Sequence, residues 1–198
     1  GVDMGNMMND GNKTMNIMSY QKLDLQKHDH LLEIGLGNGK FVPYVLNLQE
    51  NIKYSAIDFS NTMVATAKEF NKEFIEKGIV SIEEGNIEHI QFDDNTFEKI
   101  CTINTLYFWP NPKENCKELF RVLKPKGKVI IAIRPKQIMD KMVFTQFGFE
   151  KYNPEDAKTL LENSGFININ YEIIEEEEFK FDETSHKLSG CYITAFKP

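Results

Sequence analysis

From residue 29 onward, short runs of β-branched residues alternate with helical stripes of apolar residues. This alternation is typical of a mostly parallel sheet covered by helices, because consecutive parallel strands need a crossover helix between them. The chain has 198 residues, which suits a single domain of this type. The sequence therefore predicts an α/β protein built on a doubly wound, seven-stranded, mostly parallel sheet with an antiparallel last strand.

Seven segments carry the strand pattern, and helical stripes lie between most of the first six. No helix separates the last two strands, so we expect them to pair as an antiparallel hairpin whose loop lies near residues 178–189. In the helix that Ser60 should cap, positions spaced by three and four predict the buried face. The strands are residues 30–34, 52–57, 79–83, 97–103, 128–133, 166–174 and 191–196, and the buried face is Met63, Ala67, Phe70 and Phe74.

The sequence leaves the roles of two segments open. Residues 1–20 are rich in Met and Asn, and they form either a loosely ordered terminus or a segment that folds over a ligand pocket. We place the boundary between an N-terminal segment, 1–28, and the main domain, 29–198. Residues 135–152 are long for a connection, so we expect either a lid or substrate wall or a short helix on the sheet.

Charge and composition exclude several classes of protein. The formal net charge is −7 and the densest charge run, residues 175–178, is acidic, which argues against a nucleic-acid partner. The longest apolar run, 129–133, is far shorter than the ~20 residues that cross a bilayer, so no membrane insertion is expected. The three cysteines are widely separated, which favours a reducing cytoplasm, and no metal site is predicted.

The glycine cluster after the first predicted strand is the most informative motif. Glycines at 35, 37 and 39 allow a tight turn and a close approach of ligand, and the helix that follows supplies free N–H groups and the positive end of its dipole. Asp58 ends the second strand, where a carboxylate would accept hydrogen bonds from the hydroxyls of an adenosine ribose. Together these features predict an adenosine-containing ligand.

Glu33 discriminates between adenosine compounds. The dinucleotide fingerprint needs a third glycine where this chain has Lys40, and a carboxylate at Glu33 would repel a pyrophosphate. The same carboxylate suits the cationic amino-acid portion of S-adenosylmethionine. The residues therefore favour S-adenosylmethionine over NAD.

Several stretches of the chain resemble the motifs of the class I S-adenosylmethionine-dependent methyltransferases, close to the small-molecule group that includes ubiquinone/menaquinone-biosynthesis methyltransferases. They are residues 32–39, 56–60, 84–88, 92–98, 104–109 and 119–127. The resemblance implies a Rossmann-like methyltransferase fold and S-adenosylmethionine as the cofactor. It also implies that a methyl group is transferred to a small-molecule acceptor by in-line displacement.

The resemblance also assigns site residues. It places Asp58 on the ribose, Phe59 or Met63 against the adenine, and Asn86, where relatives usually carry an acid, near the adenine amino group. No residue is identified as a catalytic base, and His89 and Tyr107 are the candidates. The cofactor-binding set is Glu33, Gly35, Gly37, Gly39, Asp58, Phe59, Met63, Asn86, Ile87, Asn104 and Leu106.

Two other functions remain open on the sequence. The absence of an identified base leaves room for a non-catalytic S-adenosylmethionine-binding regulator. A NAD-dependent oxidoreductase is opposed by Glu33, by the missing third glycine and by the absence of a Tyr-x-x-x-Lys pair that could act as a proton donor.

Overall fold

The computed structural model describes residues 2–142, 145–176, 179–181, 184–186 and 188–198, with side chains described for 11–142, 145–176 and 188–198. The strands are β1 (His30–Ile34), β2 (Lys53–Asp58), β3 (Val80–Glu84), β4 (Phe97–Ile103), β5 (Leu123–Ile133), β6 (Ile167–Glu175), β7 (Phe179–Phe181), β8 (Thr184–His186) and β9 (Ser189–Phe196). The helices are α1 (Val2–Lys22), α2 (Val42–Leu46), α3 (Asn61–Phe70), α4 (Lys72–Glu76), α5 (Pro112–Val122), α6 (Lys136–Met139) and α7 (Pro154–Glu162), with a 3-10 turn at Leu106–Phe108.

Seven strands form one sheet in the order β3-β2-β1-β4-β5-β9-β6. The pairs from β3 to β5 are parallel, whereas β9 runs antiparallel to both β5 and β6, between which it lies. This confirms the predicted seven-stranded sheet with an antiparallel last strand. The predicted loop near 178–189 contains more structure than expected, because β7 and β8 pair there as a separate two-stranded hairpin.

Both faces of the sheet are covered by apolar side chains. On one face, α5 and α7 contribute Leu119 and Leu161 to a core that includes Phe97. On the other face, α1, α2 and α3 contribute to a second core, in which Met15 of α1 and Leu23, directly after α1, are fully buried. Residues 129–133 of β5 are at most 1% exposed, which agrees with a central strand buried on both faces.

The helix capped by Ser60 is shorter than predicted, and its buried face is different. Ser60 accepts a hydrogen bond from the Met63 N–H as expected, but the buried residues of α3 are Val64 and Ala67, and Phe70 is 53% exposed. The helix ends at Asn71, whose side-chain amide donates to the carbonyl oxygens of Gly39 and Ala67. This buried amide ends the helix, so the predicted buried face was wrong at Phe70, whereas Ala67 is buried and Phe74, in α4, packs against the second core.

The two segments without a settled role both contain helix. Residues 2–22 form α1, which packs on the sheet over β4 and β5 and contributes buried side chains to its core. Residues 135–152 contain the short helix α6, with Met139 buried and Phe147 87% exposed. A short helix on the sheet was one of the two predicted forms of this segment, and Phe144, which it also contains, lies outside the described residues.

Candidate functional site

The glycine turn (Gly35–Gly39) joins β1 to α2 at the carboxyl edge of the sheet. Its three glycines have φ between +59° and +78°, a region that favours glycine. A Cβ on Gly35 would lie 2.5 Å from Cγ2 of Thr105, and one on Gly39 would lie 2.9 Å from Cβ of Ala67. A Cβ on Gly37 would meet nothing within 4 Å. Gly35 and Gly39 therefore allow tight packing, whereas the middle of the turn faces open space.

The carboxylate of Asp58 is held by the glycine turn. One oxygen accepts the N–H of Gly37 and the other accepts the N–H of Ser60, both at 2.9 Å. Burial raises the pKa of Asp58, and the two N–H donors oppose that rise. Each oxygen keeps a lone pair for a further donor. The neighbouring Phe59 is 78% exposed and Met63 is half-buried, so an apolar surface lies open beside this carboxylate.

Glu33 lies in β1 with only 3% exposure and both carboxylate oxygens occupied. The Tyr20 hydroxyl of α1 donates to one oxygen at 2.9 Å, and the Tyr54 hydroxyl of β2 donates to the other at 2.6 Å. Burial raises the pKa of Glu33 to about 7, against the lowering effect of the two tyrosines, and Asp58 raises it further. The sequence did not predict either tyrosine partner, although a buried acid in an apolar strand requires donors.

Asn104 and Leu106 follow β4 at the same edge of the sheet. Asn104 has φ +57°, its N–H donates to the Ala132 carbonyl, and its side-chain oxygen accepts from the Tyr107 hydroxyl at 3.1 Å. Leu106 is 1% exposed, so its side chain belongs to the core. Of these two residues, Asn104 is half-buried and is the one that is partly exposed to solvent.

Asn86 and Ile87 lie in the loop after β3. The Asn86 side-chain oxygen accepts the backbone N–H groups of Glu88 and His89, at 3.0 and 3.2 Å, so it stabilises the loop. Since this oxygen already has two donors, the NH2 group is the part of the amide left for a ligand. Ile87 is buried beneath it.

The structure separates the two candidates for a base. His89 is exposed. The next residue, Ile90, donates its backbone N–H to the Glu118 carboxylate of α5. Tyr107 is buried, donates to Asn104 and accepts the backbone N–H of Arg134. Burial raises the pKa of Tyr107, so this phenol stays protonated at neutral pH and positions its neighbours.

The aromatic residues after β4 differ in exposure. Phe108 is 51% exposed, whereas Tyr107 is buried. Phe149, from the 135–152 segment, packs against both, with its ring centroid 4.7 Å from that of Phe108. An aromatic wall thus stands beside Asn104 at the carboxyl edge of the sheet.

The site also contains a buried ion pair that sequence reasoning missed. The Arg134 guanidinium, directly after β5, donates to both oxygens of Glu176, and the side chains are 6% and 4% exposed. The two residues are 42 positions apart, and no local pattern predicts their contact. The structure therefore brings together the glycine turn, Glu33, Asp58 and Asn104, with Arg134 as an added charge.

The described residues contain neither a metal-binding cluster nor a membrane-spanning helix. No group of three or more His, Cys, Asp or Glu side chains there is arranged to hold a metal ion. None of the described helices combines the length and apolar character needed to span a membrane.

Comparisons with known proteins agree on one family. Residues 32–131 match the family model described as a methyltransferase domain. The chain is 28% identical over 133 residues to the uncharacterized methyltransferase YdaC of Bacillus subtilis, covering 67% of this chain and 71% of YdaC. It is 22% identical over 175 residues to the ubiquinone/menaquinone biosynthesis C-methyltransferase UbiE of Haemophilus ducreyi, covering 74% of this chain and 68% of UbiE.

Among solved structures, the fold is similar to a chain of the Haloferax volcanii complex that contains the Trm112 methyltransferase activator. The TM-score is 0.86 with 14% identity, over 99% of this chain and 94% of that one. At that identity the likeness concerns the fold alone.

Proposed function

This chain belongs to the methyltransferase domain family, and on that premise we propose that it transfers a methyl group from S-adenosylmethionine to a small-molecule acceptor. The class I methyltransferase fold and S-adenosylmethionine as the methyl donor follow from the family. The family match decides against an oxidoreductase. The acceptor class and the roles of individual residues are the parts we propose.

The residues at the glycine turn suit this cofactor on their own geometry. The open space in front of Gly37 lets a ligand approach the backbone. Asp58 offers two partly used carboxylate oxygens to a ribose, and the exposed ring of Phe59 offers an apolar face to an adenine. Glu33 and Asp58 give this edge an acidic character, which favours a cationic ligand. This convergence on Gly37 is the observation that carries the proposal.

S-adenosylmethionine supplies a methyl group on a positively charged sulfur, so the cofactor carries the difficult chemistry. The chain's own residues have three tasks. Gly37, Asp58 and Phe59 bind the nucleoside, and Glu33 sets the charge behind the turn. The aromatic wall of Phe108 and Phe149 excludes water and orients the acceptor, and orientation alone is worth roughly 7–11 kcal/mol in favourable cases.

A small-molecule acceptor is supported by charge and by the covering helix. The net charge of −7 opposes binding to a nucleic acid. Gly11 and Asn12 of α1 contact the Arg134 guanidinium, so α1 covers part of the carboxyl edge. We propose that residues 1–28 cover the cofactor and acceptor there, and that the protein acts in the cytoplasm.

Isothermal titration with S-adenosylmethionine, S-adenosylhomocysteine and NAD tests the donor site. We expect Asp58→Asn, which keeps an acceptor oxygen for the turn, to weaken S-adenosylmethionine binding by about 1.5–3 kcal/mol, the usual loss for a hydrogen bond to a charged group. The matched control Glu50→Gln changes an exposed acid away from the turn and should leave the affinity unchanged. Equal affinity in Asp58→Asn would show that Asp58 does not hold the ribose.

Label transfer from methyl-labelled cofactor tests the acceptor class. Cell extract is divided into metabolite, protein and nucleic-acid fractions, and each is incubated with the full chain. We expect label in the metabolite fraction. Label confined to protein or RNA would contradict a small-molecule acceptor, and cofactor binding without any transfer would favour the regulator.

A further inference from the structure

A second buried polar group lies at the carboxyl edge, beyond the glycine turn. We call it the Arg134 cluster, and it consists of Arg134, Glu176 and Tyr192 with Gly11 and Asn12 of α1. Of the described residues, Arg134 is the one lysine or arginine that is buried, with 5% exposure. The carboxyl edge otherwise buries the acids Glu33 and Asp58, so this cation stands apart from the donor site in its charge.

Stability alone does not explain the ion pair. Taking two charges out of water costs several kcal/mol per ion, and well-packed apolar residues often replace such a pair without loss. The exposed pair Lys68–Glu83, which joins α3 to the edge strand β3, carries no such cost, with side chains 44% and 61% exposed. The burial of the Arg134–Glu176 pair therefore points to a role in ligand recognition.

The Arg134 guanidinium also donates hydrogen bonds to two neutral oxygens, which a ligand can replace. Nη2 of Arg134 donates to the Gly11 carbonyl oxygen at 3.1 Å and to the Asn12 side-chain oxygen at 3.3 Å. These bonds are longer than the 2.9 Å bond from the same nitrogen to Glu176. A carboxylate or phosphate would offer two charged oxygens in their place, and charge-assisted bonds are roughly twice as strong as neutral ones.

Tyr192 supplies an independent observation. It is 1% exposed, and within the described residues its hydroxyl has no hydrogen-bond partner. A Cβ placed on Gly190 would lie 2.6 Å from this hydroxyl and 3.1 Å from the Glu176 carboxylate, so both groups lie close together against Gly190. A buried hydroxyl without a partner is unfavourable, which points to a polar group that is bound there.

The cluster is tied to the proposed donor site by a short chain of bonds. The backbone N–H of Arg134 donates to the Tyr107 hydroxyl, which in turn donates to Asn104. Asn104 follows β4, beside the glycine turn that follows β1. A ligand held by Arg134 would therefore lie next to the proposed donor site.

From these contacts we infer that the Arg134 cluster binds the acid group of the methyl acceptor, so that the substrate is a small molecule with a carboxylate or a phosphate. The acid oxygens replace Gly11 and Asn12 on the guanidinium, Glu176 keeps the guanidinium in place, and the Tyr192 hydroxyl donates to the ligand. This inference rests on the proposed methyltransferase function and deepens it.

Calorimetry on the full chain saturated with S-adenosylhomocysteine tests the inference directly. The probes are benzoate, phenylphosphate and their neutral counterpart benzamide. We expect one of the two acids to bind measurably more tightly than benzamide, and the tighter of them identifies the acid group. Equal or absent binding of all three probes would overturn the inference.

Variants of the Arg134 cluster test whether the acid probe binds there. Arg134→Met/Glu176→Met leaves no unpaired buried charge and should weaken the acid probe roughly 10–100-fold, whereas Tyr192→Phe should weaken it several-fold. The matched control Lys68→Met/Glu83→Met removes an exposed ion pair and should change nothing. Unchanged affinity in the Arg134 double variant would overturn the inference. If that variant does not fold, Tyr192→Phe decides, because it removes only a hydroxyl without a partner.

The same titrations separate this inference from the proposed function. A wild-type chain that does not bind S-adenosylhomocysteine refutes the methyltransferase proposal itself. Normal S-adenosylhomocysteine binding in every variant, with no dependence of acid binding on Arg134, refutes only the acid-recognition inference.

Discussion

The glycine turn and the Arg134 cluster lie on the same edge of one sheet, yet they are built differently. The turn is assembled locally, since Gly37 and Asp58 are 21 positions apart and belong to one βαβ unit. The Arg134 cluster joins residues up to 181 positions apart, from α1, from directly after β5 and β6, and from β9. We propose that the first region binds its ligand through backbone groups and one acid, and the second through a buried cation. Local assembly leaves a motif in the sequence, and long-range assembly does not.

The largest expected difference between the regions concerns buried charge. Arg134→Met leaves Glu176 buried without a partner and should lower the free energy of unfolding by about 3–5 kcal/mol. Adding Glu176→Met should restore most of that loss. Urea denaturation measures both, and Lys68→Met is the control, because an exposed pair contributes at most about 1 kcal/mol. A small loss of unfolding free energy in Arg134→Met would mean that water reaches the cluster more easily than its burial indicates.

The contribution of Glu33, behind the glycine turn, to the free energy of unfolding should depend on pH. The pKa of Glu33 is about 7 in the folded protein and about 4.5 in its ordinary state. A raised folded pKa means that its stability contribution is complete below pH 4.5 and is lost as pH rises through 7. The difference corresponds to about 3 kcal/mol.

Unfolding free energies of wild type and Glu33→Gln, measured from pH 4 to pH 8, test this. The groups that face Glu33 are Tyr20 from α1, Tyr54 and Asp58 from β2, and Cys101 from β4. Since they are common to both proteins, we expect the wild type to lose stability relative to Glu33→Gln as pH rises. Parallel curves would show that Glu33 titrates normally.

Within the turn, two glycines should respond differently. Gly35→Ala places a methyl group 2.5 Å from Thr105 in a left-handed backbone and should cost about 3 kcal/mol. Gly37→Ala has the same backbone strain but open space, so about 1–2 kcal/mol is expected. Thermal and urea denaturation compare them. Equal costs would show that strain alone determines both, and that Gly35 is not closely packed.

The contrast also explains what could be predicted from the sequence. The sheet, the glycine turn and Asp58 are signalled by patterns within about 25 residues, and the structure has each of them in place. The face of α3 was wrong because the buried amide of Asn71 ends that helix through a contact with Gly39. The tyrosines on Glu33 and the partner of Arg134 depend on packing between distant segments, which no local spacing encodes.

The helix α1 links the two regions mechanically. Its Tyr20 donates to Glu33 behind the turn, and its Gly11 accepts from Arg134, about 13 Å further along the same helix. If the acceptor displaces Gly11 as we propose, we expect the shift of α1 to disturb the contact at Glu33 as well. Thermodynamic reciprocity would then require that the methyl donor and the acceptor alter each other's affinity by one shared factor.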